Sequence, residues 1–427
     1  MQTAELYQIF LQHPSVQTDT RKLKPGDLFF ALKGENFNGN QFAKQALDAG
    51  ASFAVVDEDV DPKDQRIILV DNTLDALQML AKHHRMQFKI PLLAITGSNG
   101  KTTTKELIHA VLSAHFKTYT TEGNLNNHIG IPLTLLKIKP DAEIAVVEMG
   151  ANHQQEIAGY CSYTLPTHGL ITNVGKAHLE GFGGIEGVKK GKGELFDFIR
   201  AHNGAVFMNT DYDYLMEMSS GIKNRIDYGT LNTAATQGTL IASEPFLSLQ
   251  LNKDAEIGTI HTQLVGAYNL PNVLAAVAVG KYFGVPVQKI KAAIETYVPS
   301  NSRSQLLEKD GNTIILDAYN ANPSSMKVAI ENFARLATEN KILMLGAMAE
   351  LGDDTEKEHQ QLVQLLQTHP WKQVLLVGKA FEKTKHDYFY FKDVHEAASW
   401  FKTHPVSGCH ILIKGSRSMQ MEKMLAD

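Results

Sequence analysis

The sequence predicts an α/β protein of three domains. Short apolar runs that end in glycine or polar clusters recur along the chain with amphipathic helical stretches between them, the alternation expected of parallel sheets flanked by helices. The 427 residues, at about 150 per domain, suggest roughly three such units, and 43% hydrophobic residues supply a core for each.

Composition narrows the function classes. A formal charge of -5, from 46 acidic and 41 basic residues, offers no long-range attraction to nucleic acid or an anionic membrane. Cys161 and Cys409 are too few and too far apart for a disulfide framework or a cysteine zinc site, which fits a reducing cytosol. The stretch MQTAELYQIFLQHPSVQTD lacks the basic start and apolar centre of an export signal, and no run of about 18 apolar residues occurs. The expectation is a cytoplasmic protein, not inserted in a membrane, whose partners are small molecules.

Residues 1–88 carry DLFFAL, SFAVVDE and IILV between turns such as KGENFNGN, the pattern of a small α/β domain. The second domain, 89–300, opens with a buried strand, PLLAI, followed by a glycine loop. Next comes TTTKELIHAVLSAHF, where Leu107, Ile108, Val111, Leu112 and His115 recur at helical spacing. EIAVVEM (143–149) and HGLITNV (168–174) read as further strands ending at the carboxyl edge of a mostly parallel sheet. VPSNSRS reads as a linker into the third domain, 301–427. There TIILDAYNANP, KILMLGAMAELG, QVLLVGKAF and HILIKGSRS alternate with helical stretches such as EKEHQQLVQLLQTH, a Rossmann-like doubly wound pattern.

The glycine loop is ITGSNGKTTTKE, Ile95 to Glu106, and the spelling G-x-x-x-x-G-K-[ST] would require its first glycine at Ile95. The physics does not. Gly97 and Gly100 let the backbone of Ser98, Asn99 and Thr103 turn its N–H groups inward, and the following helix aims its positive end at the same point. Lys101 is placed to reach terminal phosphates and the Thr102 hydroxyl to ligate Mg²⁺. A plain glycine turn would not need a strand before it, Lys-Thr within it and an amphipathic helix behind it.

Three further stretches bear on the chemistry. Glu148 ends a strand in VVEMGANH and can present a carboxylate to a metal; alone it reads as a solvated terminus. His178 and Glu180 follow a strand end in TNVGKAHLEGFGG, where a single histidine is usually unremarkable. Lys189, Lys190 and Lys192 in VKKGKGELF read alone as a solvated basic turn near a helix.

The order phosphate loop, Glu, His, Lys within one domain resembles the Mur ligase family. TEGNLNNHIGIPLTLL (121–136), DAYNANPSSM (317–326), LIKGSRSM (412–419) and the amino-terminal TDTRKLKPGDLFFALKGENFNGNQFAKQALDAGA extend the resemblance over nearly the full chain. YNANP points to the branch that adds D-alanyl-D-alanine; the DNPR stretch of the related ligase for the third residue does not occur. The resemblance implies an ATP-dependent amide ligase, with Mg²⁺, that joins D-alanyl-D-alanine to UDP-N-acetylmuramoyl-tripeptide through an acyl phosphate. That is the last cytoplasmic step of peptidoglycan precursor synthesis, and family members are usually monomeric. Folylpolyglutamate synthases share the loop, Glu, His and Lys, but not the first-domain pattern or YNANP. A catalytically silent nucleotide-binding subunit would have no need to keep Lys101, Thr102, Glu148, His178 and Lys192.

Roles follow from the same resemblance. Thr102 and Glu148 would hold the Mg²⁺ bridging the β- and γ-phosphates, and Glu148 and His178 a second one, with Lys192 as the lysine that such ligases carbamylate. Asn269 and Asn272 would take adenine, Asp317 the ribose, and Arg303 would enter from the linker. Asn320 and Asn322 would lie near the dipeptide or the acyl phosphate, while Lys414, Ser416 and Arg417 would supply donors to the closed site. Thr20, Arg21, Lys33, Asn38 and Gly39 match the UDP-binding pattern of the first domain, and Asn126 and Asn127 a sugar-facing loop of the second. Three positions depart from the family pattern: Thr20 stands for Ser, Ala347 for an Asp, and Tyr268 for His, where its ring could stack on adenine. Glu350, Leu351, Gly352 and His359 still match. Ligands drawn from three domains imply an open form and a closed form.

Overall fold

The computed structural model describes residues 1–254, 256–300 and 302–426. The fold is mixed α/β and is built on three main sheets. In the first, Val16–Gln17, Leu28–Phe30, Phe53–Val56 and Ile67–Leu69 pair in parallel. Helix Thr73–Arg85 covers this sheet and turns Leu77, Leu80 and Ala81 toward Ile131 and Leu135 of helix Gly130–Leu136, so one apolar core runs on into the second unit. At its carboxyl end the buried Arg85 guanidinium donates to the carbonyls of Thr164, Phe88 and Ile90, which ties the junction between the units.

The central sheet has nine strands. Leu92–Thr96 lies between His168–Ile171 and Ile144–Glu148, all parallel. Beyond Ile144–Glu148 stands Thr118–Thr120; beyond His168–Ile171 follow Ala205–Asn209, Asn224–Gly229 and Thr236–Ala242. Two antiparallel strands, Ser248–Leu251 and Thr259–His261, extend the far edge. All five residues of Leu92–Thr96 are buried, as a parallel strand covered on both faces requires. Leu93 and Ile95 pack with helices Lys101–Ser113 and Leu270–Tyr282; Leu92 and Ala94 pack with Glu156–Thr164 and Ile185–Ala201 on the other face.

The third sheet runs Gln305–Lys309, Asn312–Asp317, His410–Lys414, Lys341–Gly346, Gln373–Val377 and Phe389–Phe391, parallel except for the first pair. Helices Pro323–Ala334 and Thr355–Leu366 cover one face and Val394–Thr403 the other, the doubly wound arrangement.

Two expectations change. Helix Lys101–Ser113 buries Leu107, Ile108, Val111 and Leu112 but stops before His115, which is exposed. VKKGKGELF is not a turn: it lies inside the 17-residue helix Ile185–Ala201, and its Lys192 is buried. The linker expected at VPSNSRS includes residue 301, which lies outside the described residues, as does residue 427. Among the described residues no helix is long and apolar enough to cross a membrane.

Candidate active site

The phosphate loop connects Leu92–Thr96 to helix Lys101–Ser113. Gly97 has φ +144°, and a Cβ there would stand 2.0 Å from the Thr172 hydroxyl; Gly100 has φ +78°, and a Cβ would meet the Asn272 side chain at 2.8 Å. Both positions therefore exclude side chains for conformational and steric reasons. The neighbouring strand end braces the loop: Asn99 N–H donates to Asn173 Oδ1 (3.0 Å), and Thr172 Oγ1 donates to the Asn99 carbonyl (2.6 Å). Ser98 Oγ donates to the Gly175 carbonyl (3.0 Å). Lys101 folds back over this cradle, its Nζ 2.6 Å from the Gly97 carbonyl, and burial pulls its pKa below the usual lysine value.

Thr102 and Glu148 are together, as expected. Glu148 Oε1 accepts from Thr102 Oγ1 (3.0 Å) and from Asn126 Nδ2 (2.8 Å), while its buried Oε2 has no hydrogen-bond partner. A buried carboxylate oxygen left unmatched beside a phosphate cradle suits a hard cation, so the donor set fits Mg²⁺. Among the described residues no three His, Cys, Asp or Glu side chains converge on one point.

His178 lines the same cavity in a left-handed conformation (φ 52°), and its Nδ1 pairs with the Glu350 carboxylate. That contact spans the second and third units, and the imidazole holds Glu350 below the usual carboxylate range. His359, buried beneath, accepts the Met348 N–H at Nε2 (3.0 Å) and so shapes the loop that carries Glu350. Lys176 makes a second bridge, to the buried Glu358 (2.6 Å). Lys192 does not face the cavity. It lies behind the wall, its Nζ donating to the carbonyl of the lining residue Ala151 (2.9 Å), and burial followed by the nearby Lys101 charge pushes its pKa well down.

On the opposite flank Asn269, Asn272, Arg303, Asp317, Asn320, Asn322 and Lys414 line the cavity, which measures about 830 Å³. Asn272 Nδ2 donates to Asn269 Oδ1 (2.8 Å), and Thr104 Oγ1 donates to Asn272 Oδ1 (3.0 Å), which fixes the asparagine pair on the helix behind the loop. Arg303 stacks 3.5 Å over the Tyr319 ring. Lys414 Nζ donates to Asp317 Oδ2 (2.5 Å) and to the Asn320 carbonyl (3.2 Å). Tyr268 is half-buried, with its ring over Gly266 and its hydroxyl 2.8 Å from Ser304 Oγ.

Several expected residues stand elsewhere. Ser416 is buried and donates to the Ala347 carbonyl (2.7 Å); Arg417 pairs with Glu422 (3.0 Å) on the surface. Neither lines the cavity in this arrangement, although the Arg417 guanidinium stands 6.0 Å from the ring of the lining residue Tyr319. Ala347 contributes its backbone there, and the charge of the expected aspartate has no counterpart. Thr20, Arg21, Lys33, Asn38 and Gly39 lie in the first unit, away from this cavity. Arg21 pairs with Asp19, Lys33 with Asp57 and Glu58, and Asn38 with Glu58, while the Gly39 N–H donates to the Leu32 carbonyl (2.9 Å). Asn127 lines the cavity, and its Oδ1 accepts the N–H of Gly130, the first residue of helix Gly130–Leu136 (2.8 Å).

Sequence reasoning missed Asn173, Tyr212, Tyr214 and Ser324, which also line the site. Asn173 was visible as the polar residue ending HGLITNV; the two tyrosines follow strand Ala205–Asn209, a strand the sequence reading did not single out.

With this geometry in place, comparison with known proteins is direct. The chain matches the Mur ligase middle domain over residues 95–280, the Mur ligase glutamate ligase domain over 302–417, and the Mur ligase family catalytic domain over 14–85. It is 35% identical over 428 residues to the UDP-N-acetylmuramoyl-tripeptide--D-alanyl-D-alanine ligase of Bacillus subtilis (strain 168), covering 96% of this chain and 92% of that one. Among solved structures it is similar to MurF from Acinetobacter baumannii, with TM-score 0.86, 31% identity and 97% and 92% of the two chains covered. It is also similar to the Thermotoga maritima MurF ligase in complex with ADP, with TM-score 0.85, 27% identity and 97% of each chain covered.

Proposed function

The chain belongs to the Mur ligase family, and we propose that it joins D-alanyl-D-alanine to UDP-N-acetylmuramoyl-tripeptide, driven by ATP. It is an ADP-forming carboxylate–amine ligase of peptidoglycan precursor synthesis. The observation that carries this reading is the unmatched Glu148 Oε2 beside a phosphate cradle, in a cavity whose walls come from both the second and the third unit.

A carboxylate is a poor electrophile, and transfer of the γ-phosphoryl group to one of its oxygens turns that oxygen into a leaving group. The dipeptide amine then attacks the acyl carbon, and phosphate departs from the tetrahedral intermediate. Positioning and electrostatics carry such catalysis. Loop N–H groups and Lys101 cradle the phosphates, the lysine exchanging the Gly97 carbonyl for phosphate oxygens. Thr102 and Glu148 would hold Mg²⁺, with His178 at a second ion, and bound Mg²⁺ would neutralise the crowded oxygens. Lys192, whose pKa burial pushes well down, takes in this reading the role of the lysine carbamylated by CO₂, which would turn a cation that repels metal into an anionic group behind Ala151. Asn269, Asn272, Arg303 and Asp317 take the nucleoside, and Asn320, Asn322 and Lys414 the region of the acyl phosphate and the amine.

In this reading residues 1–88 hold the UDP tail through Thr20, Arg21, Lys33, Asn38 and Gly39, with Asn126 and Asn127 facing the sugar. Residues 89–300 bind ATP, and 301–427 close over it, with Ser416 and Arg417 at the rim. The enzyme works as a cytoplasmic monomer. The test is phosphate release from ATP with UDP-muramoyl-tripeptide: release should depend on D-alanyl-D-alanine, and equal release with unrelated amines would overturn the assignment.

A further inference from the structure

We propose that Lys176 is a positioning residue of the reaction: its ion pair with Glu358 fixes the wall that the third unit adds to the cavity relative to the phosphate loop. This rests on the reading of the cavity as the site of the ligase reaction.

Residues 173–178 leave strand His168–Ile171 and pass between the phosphate loop and the third unit. On the loop side the Gly175 N–H donates to Ser98 Oγ (2.9 Å), and that hydroxyl donates to the Gly175 carbonyl (3.0 Å). On the other side the Lys176 N–H donates to Ser324 Oγ (2.9 Å) in helix Pro323–Ala334, and Lys176 Nζ donates to Glu358 Oε1 (2.6 Å) in helix Thr355–Leu366. The fit between them is close. A Cβ on Gly175 would stand 2.9 Å from Ser324 Oγ and 3.5 Å from Asn99 Nδ2, so a side chain there would wedge the third unit away from the loop. Neither Lys176 nor Glu358 lines the cavity, whereas Ser324, Asn320 and Asn322 do. The pair therefore acts through the start of helix Pro323–Ala334, which carries those three residues.

The two charges are not equally placed. The Lys176 side chain is 44% exposed and that of Glu358 only 4%. An exposed ammonium is hydrated without its partner, but a buried carboxylate deprived of its cation is costly, while removing both charges of such a pair is close to neutral. A surface bridge shows no such asymmetry, because each of its ions is already in water. Lys176 and Glu358 belong to different units, so a stranded carboxylate is felt first where the third unit docks, and through docking at the reacting groups.

The experiment is steady-state kinetics on the full-length enzyme with Lys176→Met, Lys176→Arg, Glu358→Gln and the double variant Lys176→Met with Glu358→Gln. Lys176→Met should lower kcat/KM for D-alanyl-D-alanine about tenfold, and Glu358→Gln no more than about threefold. Lys176→Arg should keep most of the activity, and the double variant should return to within about threefold of wild type, with thermal melting unchanged in each. Full activity in Lys176→Met, a double variant as poor as the product of the two single losses, or losses explained by lower melting temperatures would overturn the proposal. Wild-type phosphate release that ignores D-alanyl-D-alanine would overturn the underlying reading instead.

Discussion

Asn322 of the third unit donates its side-chain amide to the side-chain carbonyl of Asn99 in the phosphate loop, 2.8 Å away and 223 residues apart in sequence. The same Asn322 caps helix Pro323–Ala334, its Oδ1 accepting the Ser325 N–H (2.9 Å). One side chain thus couples docking of the third unit to the shape of the nucleotide cradle. Asn322→Ser keeps a good cap but is too short to reach Asn99, so it should raise KM for ATP several-fold with little loss of stability. Asn322→Ala should lose about 1 kcal/mol in addition. Urea unfolding and steady-state kinetics separate the two effects; a serine variant with wild-type kinetics would deny the coupling.

Glu148→Gln keeps the side-chain shape while replacing a charged oxygen that has no protein partner. The variant should fold normally and lose activity by on the order of 10²–10³, the scale seen when a preorganised electrostatic group is removed. Binding of Mn²⁺ together with ADP, read by electron paramagnetic resonance, should be lost in parallel. Undiminished Mn²⁺ binding would remove Glu148 from the metal site.

Lys192 sits behind Ala151 with its amine buried and its pKa pushed well down, which favours the neutral form that reacts with CO₂. Enzyme incubated with carbon-13 bicarbonate should show a carbamate resonance that Lys192→Ala lacks, and that variant should be nearly inactive. Full activity in Lys192→Ala would rule the role out.

His168 begins a central strand far from the site and packs against Phe207, Tyr282 and Phe283. Burial lowers its pKa from 6.5 to about 4, so the fold binds fewer protons at this residue than the unfolded chain does. Its contribution is then complete above pH 6.5 and is lost as pH falls toward 4, by up to ~3 kcal/mol. His168→Gln should flatten the fall in stability between pH 6.5 and pH 4, measured as the urea midpoint at each pH. An unchanged slope would place the acid sensitivity elsewhere.

The sequence by itself determined the order of the elements and the local chemistry. Leu92–Thr96 and helix Lys101–Ser113 were legible because apolar periodicity and the glycine–lysine–threonine spelling are local, and local geometry makes the cradle. Glu148 and His178 were legible only as polar residues at strand ends. The tertiary structure decided which polar groups meet. It put Thr102 on Glu148, Glu350 on His178 and Asn322 on Asn99, and it paired Ser416 with the Ala347 carbonyl and Arg417 with Glu422. It also brought Tyr212 and Tyr214 to the site, because the sheet order sets Ala205–Asn209 two strands from the loop, with more than a hundred residues of chain between them in sequence. Such contacts depend on how strands are ordered and how the units dock, and no spacing within one segment encodes that.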